Sequence, residues 1–168
     1  MRALILALLI LAGACAPASA ADLEANKQLY RDFVETVVNK RQPAAADRYV
    51  AEGLIEHNPN LRQVGRKQFL ANVLAGFSDY HGEIQEILAE GDKIVVRTLW
   101  TGTQDGPFLG RPASGAKVRF TTADFFRIEN GKLAEHWDVV DSLPRAIALG
   151  LVPPPNSPTQ VAPAPASR

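Results

Sequence analysis

The pair Asn130-Gly131 sits between two runs of alternating character, and no other stretch restricts the possible folds of this chain as much. Alternation with a period of two marks a strand with one buried face, and Asn-Gly between two such runs is a strong hairpin signal. In the first run Phe120, Thr122, Asp124, Phe126 and Ile128 share one face, while Arg119, Thr121 and Arg127 share the other. In the second run Ala134, His136, Asp138 and Val140 lie on the face opposite Glu135. The apolar face of this hairpin therefore carries two carboxylates and a histidine. Burying such groups is costly unless they are paired or perform chemistry.

The hairpin register decides whether those groups meet. A two-residue loop pairs Glu129 with Lys132, and so Ala123 with Asp138, which puts Asp124 and Asp138 on opposite faces. A three-residue loop, Glu129-Asn130-Gly131, pairs Ile128 with Lys132 and ends with Gly131 in the left-handed conformation. Thr122 then faces Asp138, and Asp124 faces His136. A one-residue slip is heavily penalised when one face is buried, so the three-residue loop is the expected register.

The chain has 168 residues, enough for one domain with a real core. Its formal net charge is zero and it has no basic run, so nucleic-acid binding has no electrostatic support. Arg2, the apolar run Ala3 to Ala14 and the small-residue site Ala18-Ser19-Ala20 read as a signal peptide over 1–20, too short to span a bilayer. Secretion or a periplasmic address follows, with lipoprotein processing at Cys15 as the lesser alternative. Cys15 is the single cysteine, so cleavage after Ala20 removes thiol and zinc-thiolate chemistry altogether.

Helical spacing runs from Asp22, a plausible N-cap, to about Lys40, and again from Gly65 to Phe77, with a short helix at Pro43 to Tyr49 between them. Tyr49 to Glu56 reads as a loop or a short strand end, followed by a loop at His57-Asn58-Pro59-Asn60. Strands are expected at His81 to Ala89 and Lys93 to Thr103, then a glycine-rich loop from Gly102 to Gly115 with Phe108 at its tip, then the hairpin and a short helix from Ser142 to Leu149. From residue 152 to 168 proline and alanine dominate, and this tail is expected to be disordered. The order gives an α+β fold: three N-terminal helices packed on a curved, mainly antiparallel sheet of four to six strands that encloses a pocket.

His57-Asn58-Pro59, the run Gly102 to Gly110, and Phe126 to Lys132 with Glu135-His136-Trp137-Asp138 together resemble the SnoaL-like polyketide cyclases of the nuclear-transport-factor-2-like superfamily. The resemblance covers roughly residues 22–151. It implies the superfamily's cone-shaped α+β fold, a dimer formed by the outer face of the sheet, and no cofactor. It also implies an aspartate acid/base on the last strand, matched by Asp138, with an asparagine near the first strand, matched by His57 or Asn58. Where those cyclases have a histidine on the neighbouring strand, this chain has Asp124, a departure that His136 could offset by supplying the imidazole.

The chemistry expected is therefore proton abstraction beside a carbonyl in a small molecule, as cyclase, isomerase or hydrolase, with Asp138, His136, Asp124 and His57 as catalytic candidates. Asn58, Trp100, Phe108, Thr122 and Phe126 are candidate substrate-binding residues. Plainer alternatives stand beside these: Asp138 as a structural buried acid bonded to backbone, Asp124 and His136 as a satisfied core pair, His57 closing a loop, Trp100 in the core, Phe108 anchoring its loop. The same groups also suit a non-catalytic binding module. A metal site of His57, Asp124, His136 and Asp138 is a further alternative without a spacing signature, and no metal is expected.

Overall fold

The computed structural model describes residues 19–155. The signal-peptide reading of 1–20 falls almost wholly outside these residues, and so does most of the tail reading of 152–168. No helix among the described residues is long and apolar enough to cross a membrane.

Helix α1 spans Ala20–Phe33 and continues as a π-helical stretch over Val34–Asn39. It begins earlier than its hydrophobic spacing suggests, because Ser19 rather than Asp22 is the N-cap. The Ser19 hydroxyl accepts from the Asp22 backbone N–H, and the Asp22 carboxylate accepts from the Ser19 N–H. Two otherwise orphaned donors are thereby satisfied. A 3-10 helix at Pro43–Arg48 leads into strand β1, Val50–Glu56. Helix α2, Pro59–Arg62, and helix α3, Arg66–Gly76, follow. Strands β2, His81–Glu90, β3, Lys93–Thr103, β4, Lys117–Glu129, and β5, Lys132–Val140, come next, and helix α4, Ser142–Ala148, closes the fold. Pro144 lies in the first turn of α4, where a missing N–H leaves no bond unmade.

The five strands form one sheet in the order β1-β5-β4-β3-β2. All neighbours are antiparallel except β1, which runs parallel to β5 at the edge. Of the segment 49–56, residues Val50–Glu56 are thus a true strand. Its sequence signal is weak because Val50 alone is buried in it, and because its pairing slips between Val50 and Ile55.

The hairpin register differs from the expected one. Glu129 pairs with Lys132 across a two-residue turn, with Asn130 and Gly131 both at positive φ, 51° and 69°. This is the primed-turn geometry that Asn-Gly favours. One residue further on the register shifts: Arg127 faces Glu135 while Ile128 faces Leu133, leaving Ala134 as the extra residue of a bulge. Leu133 and Ala134 are consecutive buried residues, a break in alternation that only a bulge accommodates. The bulge returns both apolar faces to the same side. Beyond it Asp124 lies opposite Asp138, Phe126 opposite His136 and Thr122 opposite Val140.

The inner face of the sheet carries the core. Tyr30, Phe33 and Val37 from α1 and its continuation pack against Ile94, Val96, Phe126, Ile128 and Leu133. A second cluster gathers Val73, Phe77, Phe108, Val118, Phe120 and Leu149 at the other end. The loop after β3 belongs to this second cluster. The Gly106 N–H donates to the Gly76 carbonyl, and a Cβ at Gly106 would meet the Ala75 carbonyl oxygen at 2.1 Å, so only glycine fits there. Arg111 then donates from its guanidinium to the Leu149 and Gly150 carbonyls, tying this loop to the end of α4.

Candidate active site

Between the helices and the inner face lies a cavity of about 440 Å³. Its wall includes Asn58, Tyr80, Trp100, Thr122, Asp138 and Arg145, with Asp124, His136 and Arg66 beside them. The hairpin supplies the acids. Because the bulge aligns its two faces, Asp124 and Asp138 stand on neighbouring strands in direct register.

Among the described residues, Asn58 is the one hydrogen-bond partner of the Asp138 carboxylate. The Asn58 Nδ2 lies 2.8 Å from each Asp138 carboxylate oxygen. The orientation of that amide is fixed from its other end: Oδ1 caps α2, accepting from the N–H groups of Asn60 at 2.9 Å and Leu61 at 3.4 Å. Asn58 is extended, as a residue before proline should be, and Pro59 begins the helix that its side chain caps. The loop expected at 57–60 therefore contains a helix start, and the capping is what aims the amide at Asp138.

Asp124 is fully engaged elsewhere. Its Oδ2 accepts from the Thr122 hydroxyl at 2.5 Å, and its Oδ1 lies 3.1 Å from His136 Nε2. The indole N–H of Trp100 donates in turn to the Thr122 oxygen at 2.8 Å. No hydrogen bond joins Asp124 to Asp138, so these two do not form a proton-sharing pair. His136 is wholly buried, with its ring 4.5 Å from that of Phe126. Its Nδ1 lies 2.8 Å from Glu56 Oε1 and in close contact with the Arg66 guanidinium. Arg66 also donates to Glu56 Oε2 at 3.1 Å.

Glu56 is the hub of this network. Its Oε1 takes the Asn58 backbone N–H at 3.0 Å as well as the His136 contact. Burial pushes the Glu56 carboxyl upward, but the His136 hydrogen bond and the Arg66 charge outweigh it, and the group sits below the usual glutamate range. Two tyrosines on the cavity wall shift the other way. Burial, reinforced by the Asp124 charge, holds the hydroxyls of Tyr30 and Tyr80 well above the ordinary tyrosine value, so both remain protonated.

Neither Glu56 nor Arg66 was among the candidates from sequence. Glu56 looks like the charged end of an edge strand. Arg66 gave a usable signal: a cation in the first turn of α3 faces the positive end of the helix dipole, which is unfavourable unless a buried acid compensates.

His57 lines the cavity beside Asn58 but makes no contact with Asp124 or Asp138. Its Nε2 meets Glu135 at 2.8 Å and its ring stacks on Trp137 at 4.6 Å, both on the opposite side of β5 from Asp138 and His136. Phe108 packs edge-on to Phe77 at 5.0 Å and stands in the second core cluster, away from the cavity wall. Phe126 is core, beneath His136 and against Tyr30. Trp100 does line the cavity, stacked on Tyr80 and lying over Gly82, where any Cβ would collide with it. Of the four groups considered for a metal, Asp124, His136 and Asp138 offer ligand atoms within 4.8 Å of one another. His57, paired with Glu135, is not one of this group.

Residues 28–148 match the family described as SnoaL-like polyketide cyclase. Over 106 residues the chain is 31% identical to the aklanonic acid methyl ester cyclase DnrD of Streptomyces peucetius, an alignment spanning 61% of this chain and 72% of that protein. TsrD from Streptomyces laurentii has a similar structure, with a TM-score of 0.69 and 29% identity over 80% of this chain and 99% of that one. A SnoaL-like polyketide cyclase from Agrobacterium tumefaciens has a TM-score of 0.62 at 18% identity, over 74% of this chain and 98% of that one, a likeness of fold.

Proposed function

The chain belongs to the SnoaL-like polyketide cyclase family, and on that premise we propose that it is a cofactor-free acid/base enzyme acting beside a carbonyl, with Asp138 as the base. The observation that carries this reading is an asymmetry between two facing acids. Both oxygens of Asp124 are taken by Thr122 and His136, whereas Asp138 lines the cavity with one amide as its partner. Asp138 removes a proton from the carbon beside a carbonyl, leaving an enolate. The enolate carbon attacks a second carbonyl of the same molecule, one C–C bond forms, and the proton passes from Asp138 to the new alkoxide. The product is an isomer of the substrate, so no oxidant or reductant is needed.

In this scheme Asn58 aims the base. The Asp124–His136–Glu56–Arg66 network fixes the wall behind it, and His136, with both ring nitrogens engaged, has no donor to spare for the enolate. Tyr80, kept protonated and without a hydrogen bond among the described residues, is a donor on the cavity wall that could serve the enolate. His57 has no part in the step. The reaction can be followed as deuterium uptake at the α-carbon of 1-tetralone, a bicyclic ketone small enough for the cavity. No uptake above buffer would favour the second reading, a binding module, which the complete internal pairing of Asp124 and His136 supports.

Two further readings accompany this one. Residues 1–20 act as an export signal, so the intact mass of exported protein should correspond to a chain starting at Ala21; a diacylated chain starting at Cys15 would establish lipoprotein processing instead. The chain pairs through the outer face of its sheet, where Leu88, Val95, Phe125 and Trp137 lie in direct cross-strand register. Leu88 is 61% exposed and Phe125 41% exposed, which makes a continuous apolar stripe across four strands. Light scattering should give twice the chain mass, falling to the monomer in Phe125→Glu; a monomeric wild type would reject the dimer.

A further inference from the structure

Arg145 is the charged residue of the cavity wall that the proposed reaction leaves unused. It sits on α4, which packs over the start of β4, and its guanidinium lies 4.7 Å above the Phe120 ring. Among the described residues it forms no ion pair, and Asp141, one turn earlier, is exposed and not bonded to it. Arg145 is half-buried and is part of the cavity wall. Its field reaches Tyr80 on the cavity wall, where it opposes the effect of Asp124. A half-buried guanidinium with a ring beneath it and no carboxylate beside it is suited to a planar anion, which it can hold through two parallel N–H bonds.

The position of this cation also sets a length. Phe120, Thr122 and Asp124 follow one another along the inner face of β4, and Asp124 faces Asp138. Phe120 is therefore four residues from the acid pair, roughly 13 Å along the strand. The wall between the two ends is aromatic, with Tyr80 stacked on Trp100 at 5.5 Å.

We propose that the cavity selects an elongated, ring-bearing substrate with a free carboxylate, held by Arg145 at the α4 end while its reacting carbonyl lies at Asp138. This rests on the cavity being the substrate site proposed above, and it adds that the acid, not its ester, is the form bound.

The test compares anthracene-2-carboxylate with its methyl ester, two rigid tricyclic probes that differ in one charge, by quenching of the fluorescence of the cavity tryptophans, Trp100 and Trp137. Wild type should bind the acid at least about tenfold more tightly than the ester. In Arg145→Gln the preference should fall to within about twofold, with ester affinity unchanged, and Arg145→Lys should keep part of it. Equal binding of acid and ester by wild type would overturn the proposal. So would an equal loss of both probes in Arg145→Gln, which would mean that the side chain merely packs on Phe120, and so would failure of the acid to bind. Asp138→Asn should keep the preference for the acid. A protein that selects the acid yet never exchanges the tetralone α-protons would uphold this inference while sinking the acid/base reading.

Discussion

Asp138→Asn should fold as the wild type does and lose about 100-fold or more of its rate of α-proton exchange, the usual scale for removing a general base. The substitution keeps the size and planarity of the side chain. Its amide oxygen still accepts from Asn58 Nδ2, whose direction is set by the cap on α2 and not by residue 138. The amide cannot take a proton, and a loss of 100-fold corresponds to about 2.7 kcal/mol of transition-state stabilisation. A structural role predicts the reverse: Asp138 as a mere acceptor for Asn58 would make the variant less stable and leave exchange intact. Turnover and melting temperature must therefore be measured on the same preparation. A well-folded variant with full exchange activity would end the mechanism and leave the binding module as the better account.

The hairpin was legible from residues 120–141 because its runs alternate on either side of Asn130-Gly131, and the sharing of one face by Asp124, His136 and Asp138 follows from that alternation. The partners across the hairpin were not legible. Leu133-Ala134 breaks the alternation, but before the burial of both residues is known the pair also reads as ordinary apolar padding, and the bulge there moves Asp124 from His136 to Asp138. The chain thus reaches the expected facing of the two strands by a tight turn plus a bulge instead of a longer loop. Glu56 and Arg66 were hidden for a different reason. They meet His136 through a parallel pairing of β1 with β5 and through the placement of α3, contacts separated by 70 residues or more in the chain. Local pattern carries no trace of the Glu56 contacts, and for Arg66 it shows only an unfavourably placed cation at the start of α3, not its partners. His57 shows the opposite failure: a histidine beside Asn58 looks like part of the same constellation, but successive residues leaving a strand point to opposite sides, and it goes outward to Glu135.

The network behind the base makes the second large effect. In Glu56→Gln, stability at pH 7 should fall by about 3–5 kcal/mol, the range for breaking a buried ion pair from one side. The Glu56 side chain is 7% exposed and the Arg66 side chain 10% exposed, so the charge left on Arg66 cannot be made good by water. Glutamine can offer one oxygen, but three groups converge on this carboxylate: the Asn58 N–H, the His136 ring and the Arg66 guanidinium. Its NH₂ would have to point at one of them. The pH dependence follows from the same contacts. The folded carboxyl lies below its ordinary value of 4.5, so its contribution is complete above that pH and is lost as pH falls through the lower, folded value. Wild type should therefore lose stability on acidification below about pH 4.5, whereas Glu56→Gln, which has no carboxyl to protonate here, should lose less over the same range, and the two should converge in acid. Denaturant melts at pH 7 and at pH 3 measure both differences. The double variant Glu56→Gln with Arg66→Met should be less destabilised than the sum of the single changes, because it removes the stranded charge as well. A Glu56→Gln protein within 1 kcal/mol of wild type at pH 7, where the range above is about 3–5, would mean that water reaches this cluster, and the network could not then be the fixed wall that holds Asn58 and His136 behind Asp138.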